Sequence, residues 1–488
     1  MSKISNWFKQ SYLVTLWNRF LQKDFSNNKI VKFFDLVFNK FSLWINSKIN
    51  MNEKAREVID ESLLFRFFKW LTNKPWIING VILVLCLNVP HTMWNNIYIA
   101  LGVFAVTFIY FLRNIFWGDG KLNFKNMGLP FILLMIGVVI ASFVSVDRAN
   151  SYRQLFLWLV GFLAYINVAC SMKSKKDVVG FCYFLLVLVI GMSLFGLYQN
   201  YVGVEVKEAY VDINLNEGMK GRIYGSVENP NNFAEILLIM IPLLAGMFLG
   251  EKSWKNKIVI LLLALMPIAA ILLTGTRSGW GALGFAALLF IILWDKRIVP
   301  IFLICCALAF AALPTVSPQI YKRVMTIFMS SDHSMSYRDT IMNATMPILK
   351  ENPISGIGLG SANFSRYLAN NYEFELTPPH SHNVFVQVWV ETGFLGFAGF
   401  VLLLASIVIY GIRAVHQINK LKKIDREKYD EKNYLKFIII GIVSGVVGLS
   451  IMGFLDYVLF YPRVMILIFT YLGVCKSAIY VSKTSEGE

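Results

Sequence analysis

Long apolar runs separated by short polar turns dominate this chain. Stretches near membrane length fall at roughly 76–91, 94–113, 128–146, 152–171, 177–200, 230–250, 256–275, 279–295, 298–315, 390–412, 435–456 and 459–480. A helix crossing a bilayer needs about 20 apolar residues, and only a helix or a closed barrel satisfies its own backbone there. The pattern predicts an all-α polytopic membrane protein with about 10–12 transmembrane helices. The first two runs are short enough to form a re-entrant pair. Residues 1–75 follow another rule: Leu13, Leu16, Trp17, Phe20 and Leu21 share one helical face, as do Ile30, Phe33, Phe34, Val37 and Phe41. Basic residues alternate with these aromatics, a pattern suited to helices lying in the headgroup plane of an anionic leaflet.

Charge along the turns orients the spans. With the N-terminus in the cytoplasm, the inward turns hold Arg113, Lys121 and Lys125; Lys173, Lys175 and Lys176; Lys252, Lys255 and Lys257; Lys296 and Arg297; and the basic run from Arg413 to Lys436. The two long outward segments, 201–229 and 316–382, are neutral or acidic in balance. Cations concentrate on the cytoplasmic side of membrane proteins. Arg148 and Arg153 alone go against the alternation. The reading divides the chain into a cytoplasmic basic amphipathic segment (1–75), a transmembrane region (76–315), a large extracytoplasmic loop (316–389), C-terminal spans (390–480) and a cytoplasmic tail (481–488).

Composition agrees and removes rivals. Of 488 residues, 56% are apolar, 15% aromatic and only 16% charged, against about 25% charged in soluble proteins. A soluble enzyme, a disordered chain and a collagen-like chain are excluded. The net charge of +16 is an orienting signal rather than a nucleic-acid footprint, because the N-terminal aromatics are one-sided and form no stacking platform. Cys86, Cys170, Cys182, Cys305, Cys306 and Cys475 lie in apolar runs without CxxC spacing, as small buried hydrophobes do. The N-terminus mixes Trp, Phe and Lys, without the apolar core and cleavage site of a signal peptide.

Polar residues near the bilayer are the candidates for chemistry. On this topology several gather on the outer side. Arg222 stands in Gly221-Arg222-Ile223-Tyr224-Gly225-Ser226, before Asn229-Pro230-Asn231-Asn232. Arg277 stands in the tight turn Thr274-Gly275-Thr276-Arg277-Ser278-Gly279. The long loop carries Ser336-Tyr337-Arg338-Asp339, then Asn352-Pro353-Ile354-Ser355-Gly356-Ile357-Gly358-Leu359-Gly360-Ser361. Its G-x-G-x-G lacks a preceding strand and a Gly-Lys-Ser/Thr, so it reads as a tight apolar turn rather than a phosphate loop. Two of the five histidines follow, in Pro379-His380-Ser381-His382-Asn383, at the head of an apolar run containing Glu391-Thr392-Gly393. His-x-His could bind a metal, but no third ligand stands nearby in the sequence. Asp456 and Arg463 flank the last outer turn, as site residues or as a structural ion pair. Arginine forks suit phosphate oxygens, a histidine can take a proton near neutral pH, and no acidic cluster is present for Mg²⁺. The set fits a metal-free site for a lipid-linked diphosphate.

These blocks, in this order over roughly 200–400, resemble the O-antigen ligase / O-antigen polymerase (Wzy-like) membrane glycosyltransferases. The resemblance implies a GT-C-like helical fold with a large extracytoplasmic loop holding the site. It implies a glycan donor on undecaprenyl diphosphate, transferred without metal or other cofactor and with inversion. His382 then takes the place of the essential histidine, and Arg277, Arg338 and Arg222 those of the arginines. Asp456 takes that of a late acidic residue. Tyr337, His380, Asn383 and Arg463 complete the expected substrate-binding set. The expected role is that of a polymerase of a surface polysaccharide in the bacterial cytoplasmic membrane, with both termini cytoplasmic. Its partners would be a glycan acceptor, the bilayer and polysaccharide-export machinery, with no nucleic acid. A ligase passing the glycan to a lipid or protein is the near alternative. A flippase for the same donor is the alternative of another class; it calls for mid-membrane charges and internal repeats, whereas these spans read as nearly charge-free.

Overall fold

A computed structural model describes residues 28–122, 124, 127–205, 221–325, 333–371 and 378–483. The stripe Leu13–Leu21 and the loop charges within 206–220 and 372–377 lie outside the described residues. Four short helices come first: α1 (Lys29–Phe34), α2 (Phe41–Asn50), α3 (Glu53–Glu61) and α4 (Leu63–Leu71). The apolar runs follow as α5 (Pro75–Asn88), α6 (Asn96–Trp117), α7 (Leu129–Phe143), α8 (Arg148–Ser171), α9 (Lys175–Val202), α10 (Pro230–Gly250), α11 (Trp254–Leu273), α12 (Arg277–Asp295) and α13 (Val299–Val316). Polar helices α14 (Pro318–Met325), α15 (His333–Glu351) and α16 (Ser361–Asn371) belong to the long loop. Then come α17 (Val384–Ile424), α18 (Arg426–Met452) and α19 (Pro462–Lys483). Among the described residues there is no strand.

Each of the twelve apolar runs forms a helix. Nine continuous helical stretches are long and apolar enough to cross a bilayer, or ten with the bent pair α4–α5. In that count Arg277–Val316 is one stretch of 40 residues. It folds back on itself, however. A 3-10 turn at Lys296–Ile298 divides α12 from α13, and Arg323, just past α13, donates from Nε to Gly275 O (3.3 Å) at the start of α12. Two helices of about 27 Å each that return to the starting end cross the bilayer twice. The short α7, 15 residues, lies below the length test.

The helices α10, α18 and α19 form the centre, and α11 and α13 face outward with few or no buried residues. Alternating turns meet at one end of the bundle. Arg463 reaches Val89 O (2.6 Å) and Ser226 O (2.9 Å), and Val384 N–H donates to Gly453 O (2.7 Å). The basic turns lie at the other end, where Lys175 Nζ donates to Glu431 O.

The N-terminal helices divide between the bundle and its surroundings. Ile30 and Phe34 pack against the core, while Phe33, Val37 and Phe41 are exposed. The single stripe expected for these five is split because Asp35–Lys40 is π-helical, which shifts the phase of the faces. Asn39 anchors the segment, donating to Leu122 O (2.8 Å) and accepting from Leu122 N–H (3.0 Å). Helix α4 lies 70° from α5 and exposes Leu63, Leu64, Phe67 and Trp70. If α5 runs along the membrane normal, that angle lays α4 close to the membrane plane, as an interfacial helix lies.

The glycine-rich turn clamps the long loop onto the bundle. Gly393 (φ 64°) interrupts α17, so the Val390 carbonyl is free to accept from Ile357 N–H (2.8 Å). Ile357 O in turn accepts from Val146 N–H (3.1 Å) at the α7–α8 corner. Asn363 joins the same corner, its Oδ1 accepting from Asp147 N–H (2.9 Å) and its Nδ2 donating to Ser151 Oγ (3.0 Å). Arg366 pairs with Asp147. Gly358 (φ 103°) sits so close to Ser145 that a Cβ would run into its hydroxyl. Gly358→Ala is therefore expected to lower the thermal unfolding midpoint in detergent and to reduce product. An unchanged midpoint would mean that the loop docks some other way.

Candidate active site

Four loops or helix ends bring the site together at the turn-rich end opposite the basic turns. The segment before α10 supplies Arg222 and Asn231. The α11–α12 turn supplies Thr274, Thr276 and Arg277. The long loop supplies Arg323, Tyr337, Arg338 and the His380-Ser381-His382 stretch, and the α18–α19 turn supplies Asp456. Asn229 caps α10 by accepting from Asn231 N–H (2.8 Å), and Pro230 fills the first helical position, where no N–H is needed. This cap turns the Asn231 side chain toward the site.

A polar line runs through the centre. Arg222 is buried and donates from Nε to Thr274 O (2.6 Å). Its Nη2 reaches Asn231 Oδ1 (2.8 Å) and Thr276 Oγ1 (2.7 Å). Asn231 Nδ2 donates to Asp456 Oδ2 (2.9 Å). Asp456 Oδ1 accepts from Tyr457 N–H (2.8 Å) and lies 3.6 Å from His382 Nδ1. With Nδ1 turned to the carboxylate, Nε2 is the ring atom left for a substrate. The His380 and His382 rings are 4.3 Å apart between centroids, and Tyr337 stands 5.9 Å from His382. His382 is also the one non-glycine residue with a left-handed backbone (φ 53°) among the described residues. Such strain persists only where the surroundings enforce it, and it collects at functional sites.

The electrostatics are those of a cationic cup around one carboxylate. Burial, and then the neighbouring charges of Arg323, Arg277 and Arg338, push the Arg222 guanidinium down to about 9. Burial alone would raise the Asp456 carboxyl, but the His382 ring beside it, the charge of the histidine pair and Arg338 hold it well below the usual range. Burial pushes the His380 imidazole down to about 3, with His382 adding to the effect. Both shifts make the folded state resist protons that the unfolded chain accepts. The His380 contribution to stability is whole above about pH 6.5 and declines as pH falls toward about 3. The Asp456 contribution is whole above about pH 4 and is lost on further acidification through the depressed folded value. The thermal midpoint in detergent is expected to drop between pH 7 and pH 5, and His380→Phe should flatten that drop. An equal drop in the variant would assign it to other groups.

The sequence-based candidates fare differently. His382, His380, Tyr337, Asp456 and Arg222 meet directly or through Asn231, and Arg277 and Arg338 stand within charge range of Arg222. Asn383 is occupied as the cap of α17, its Oδ1 accepting from Phe385 N–H (3.0 Å) and Val386 N–H (3.1 Å). Arg463 lies apart from the histidines: it bonds Val89, Ser226 and Tyr461, and its guanidinium lies 4.3 Å from the centre of the Trp94 ring. It therefore does not pair with Asp456, because its side chain points back toward the α5–α6 turn while Asp456 turns to His382. Three further residues join the site. Arg323, buried beside Arg222, reads in the sequence as one more loop cation. Asn231 was visible only as part of a helix-start motif. Glu235, buried in α10, feels the charge of Asp456, and with Glu391 in α17 it corrects the expectation of charge-free spans. Asp456 also supplies what His-x-His lacked in sequence, since ligand atoms of His380, His382 and Asp456 all lie within 4.8 Å of one another and could hold a metal ion.

The segment carrying Arg277, Arg323, Arg338, the glycine turn and both histidines also matches a known family. Residues 260–401 match the O-antigen ligase family model. This segment is an O-antigen ligase domain. No curated protein matches the chain. The ligase domain begins within α11 and ends within α17, so Arg222, Asn231 and Asp456 complete its site from outside it. A domain of this family in a multi-pass membrane protein gives the chain a role of ligase or polymerase type in polysaccharide biosynthesis, with glycosyltransferase-like activity on lipid-linked glycans.

Proposed function

We propose that the protein is a polymerase-type glycosyltransferase of the bacterial cytoplasmic membrane, with its site on the extracytoplasmic face. It joins glycan repeat units carried on undecaprenyl diphosphate into a surface polysaccharide. The observation that carries this reading is the His382–Asp456 pair set within four arginines. In the proposed step a hydroxyl oxygen of the acceptor glycan attacks the anomeric carbon of the donor. The new C–O bond forms as the bond from that carbon to the diphosphate breaks, and the leaving diphosphate keeps the electron pair. His382 Nε2 takes the hydroxyl proton, and Asp456 stabilises the resulting imidazolium. Arg277, Arg323 and Arg338 offset the charge on the diphosphate, with Arg222 holding Asn231 and Asp456 in register. Attack opposite the leaving group inverts the anomeric centre. The multi-pass bundle with a long loop over one end is compatible with a GT-C-like fold.

The triad His380, His382 and Asp456 supports a second reading, a metal-assisted transfer, because the buried neutral His380 is suited to ligation. Four guanidiniums around the triad disfavour a further divalent cation, so the metal-free reading is preferred. Full activity after EDTA treatment is expected; loss in EDTA with recovery on adding Zn²⁺ would favour the metal. The polymerase and ligase readings separate on a glycan gel of cells lacking the gene. Surface glycans of a single repeat unit are expected, whereas free lipid-linked polymer would identify a ligase.

A further inference from the structure

The most telling group outside the polar line is Glu391, seven residues into α17 and buried to 1% exposure. Its Oε1 accepts from Gln387 Nε2 (2.9 Å), which fixes the orientation of that amide. Gln387 Oε1 then accepts from Ser381 N–H (2.8 Å), the residue between the two histidines. Glu391 Oε2 is enclosed without a hydrogen-bond partner, and the Tyr457 hydroxyl and Gly360 N–H face the same carboxyl. Tyr457 is next to Asp456, donates its own N–H to that carboxylate, and packs its ring on His380 (5.7 Å). One carboxyl thus touches both loops that form the His382–Asp456 pair. It reaches the first through Gln387 and the second through Tyr457.

We infer that Glu391 is a positioning residue that sets the His382–Asp456 geometry by holding the histidine loop and the α18–α19 turn to one rigid point on α17. The inference deepens the proposed function and rests on it. Three features support it beyond proximity. A buried carboxyl costs free energy that packing alone would not select. The Gln387 amide is held in one orientation only because Glu391 accepts from its Nδ-side donor group, the Nε2, leaving Oε1 for Ser381. The left-handed backbone at His382 needs a fixed neighbour, and Ser381 is the residue Gln387 fixes.

The test uses the full-length protein in detergent or nanodiscs, with lipid-linked saccharide isolated from cells lacking the gene as substrate. Glu391→Leu is expected to lower kcat by about 100-fold, the effect of a displaced catalytic group, while the donor KM stays within about twofold because the arginines are untouched. Glu391→Gln keeps an acceptor for Gln387 and should recover most of the rate. Gln387→Leu removes the link to Ser381 without touching Glu391, and it should reproduce the kcat loss even if Glu391→Leu fails to fold. The double variant should then be no slower than the slower single one. Full kcat in Gln387→Leu, or a Glu391→Gln rate as low as that of Glu391→Leu, overturns the positioning role. The parallel His382→Ala protein separates the two ideas. If it is active, the proposed function fails; if it is inactive while the Glu391 and Gln387 variants are fully active, only the positioning role fails.

Discussion

Replacing His382 by alanine should leave an inserted, folded protein whose cells make no elongated or transferred glycan. The loss expected for a general base is about 10²–10⁴-fold in rate. The ring is partly open to the site and makes few contacts beyond Asp456, Tyr337 and His380, so the fold does not depend on it. The measurement is the glycan ladder on a gel beside an immunoblot of membrane-inserted protein. A ladder of normal length with normal protein would remove His382 from the reaction. Asp456→Asn should be milder in rate, because Asn keeps the shape and can still orient the ring, while losing the negative charge that favours the imidazolium.

Arg338→Ala and Arg277→Ala should each cost about 10²–10³-fold, the scale for losing one group that stabilises developing charge. Neither side chain is fully buried, so insertion should survive. Lysine at either position restores charge but not the planar fork, and partial recovery is expected. Arg222→Ala should behave differently. Its guanidinium is tied to Thr274, Thr276 and Asn231, so removing it should lower stability as well as rate. Wild-type rates in both Arg338→Ala and Arg277→Ala would mean that the diphosphate is held elsewhere.

The spans were legible because a bilayer imposes one solution on an apolar run, and the alternation of basic turns then fixes the order of ends. The polar candidates were legible where they broke that charge rule, as Arg277 and Arg338 do. What stayed hidden was pairing. Asp456 and Arg463 stand seven residues apart, close enough in sequence to suggest an ion pair, yet their side chains leave the turn in different directions. Arg323 follows Lys322 and looked like an ordinary loop charge until α13 carried it back to Gly275. Gly393 lies inside an apolar run that reads as one span, so nothing in the pattern announces that the helix breaks there and lends a carbonyl to the loop. Glu235 and Glu391 were passed over because a single carboxyl barely changes the hydropathy of its window.

The site is assembled from residues that leave the ribosome far apart in time, from Arg222 to Asp456. The diphosphate cup forms once α12 and the long loop are in place, but the carboxylate that completes it arrives only with the final helical hairpin. A chain interrupted anywhere before residue 456 would hold the arginines and both histidines in the membrane and still be inert. Transferase activity is thus switched on by the completion of synthesis itself, and half-made copies can bind lipid-linked donor without spending it.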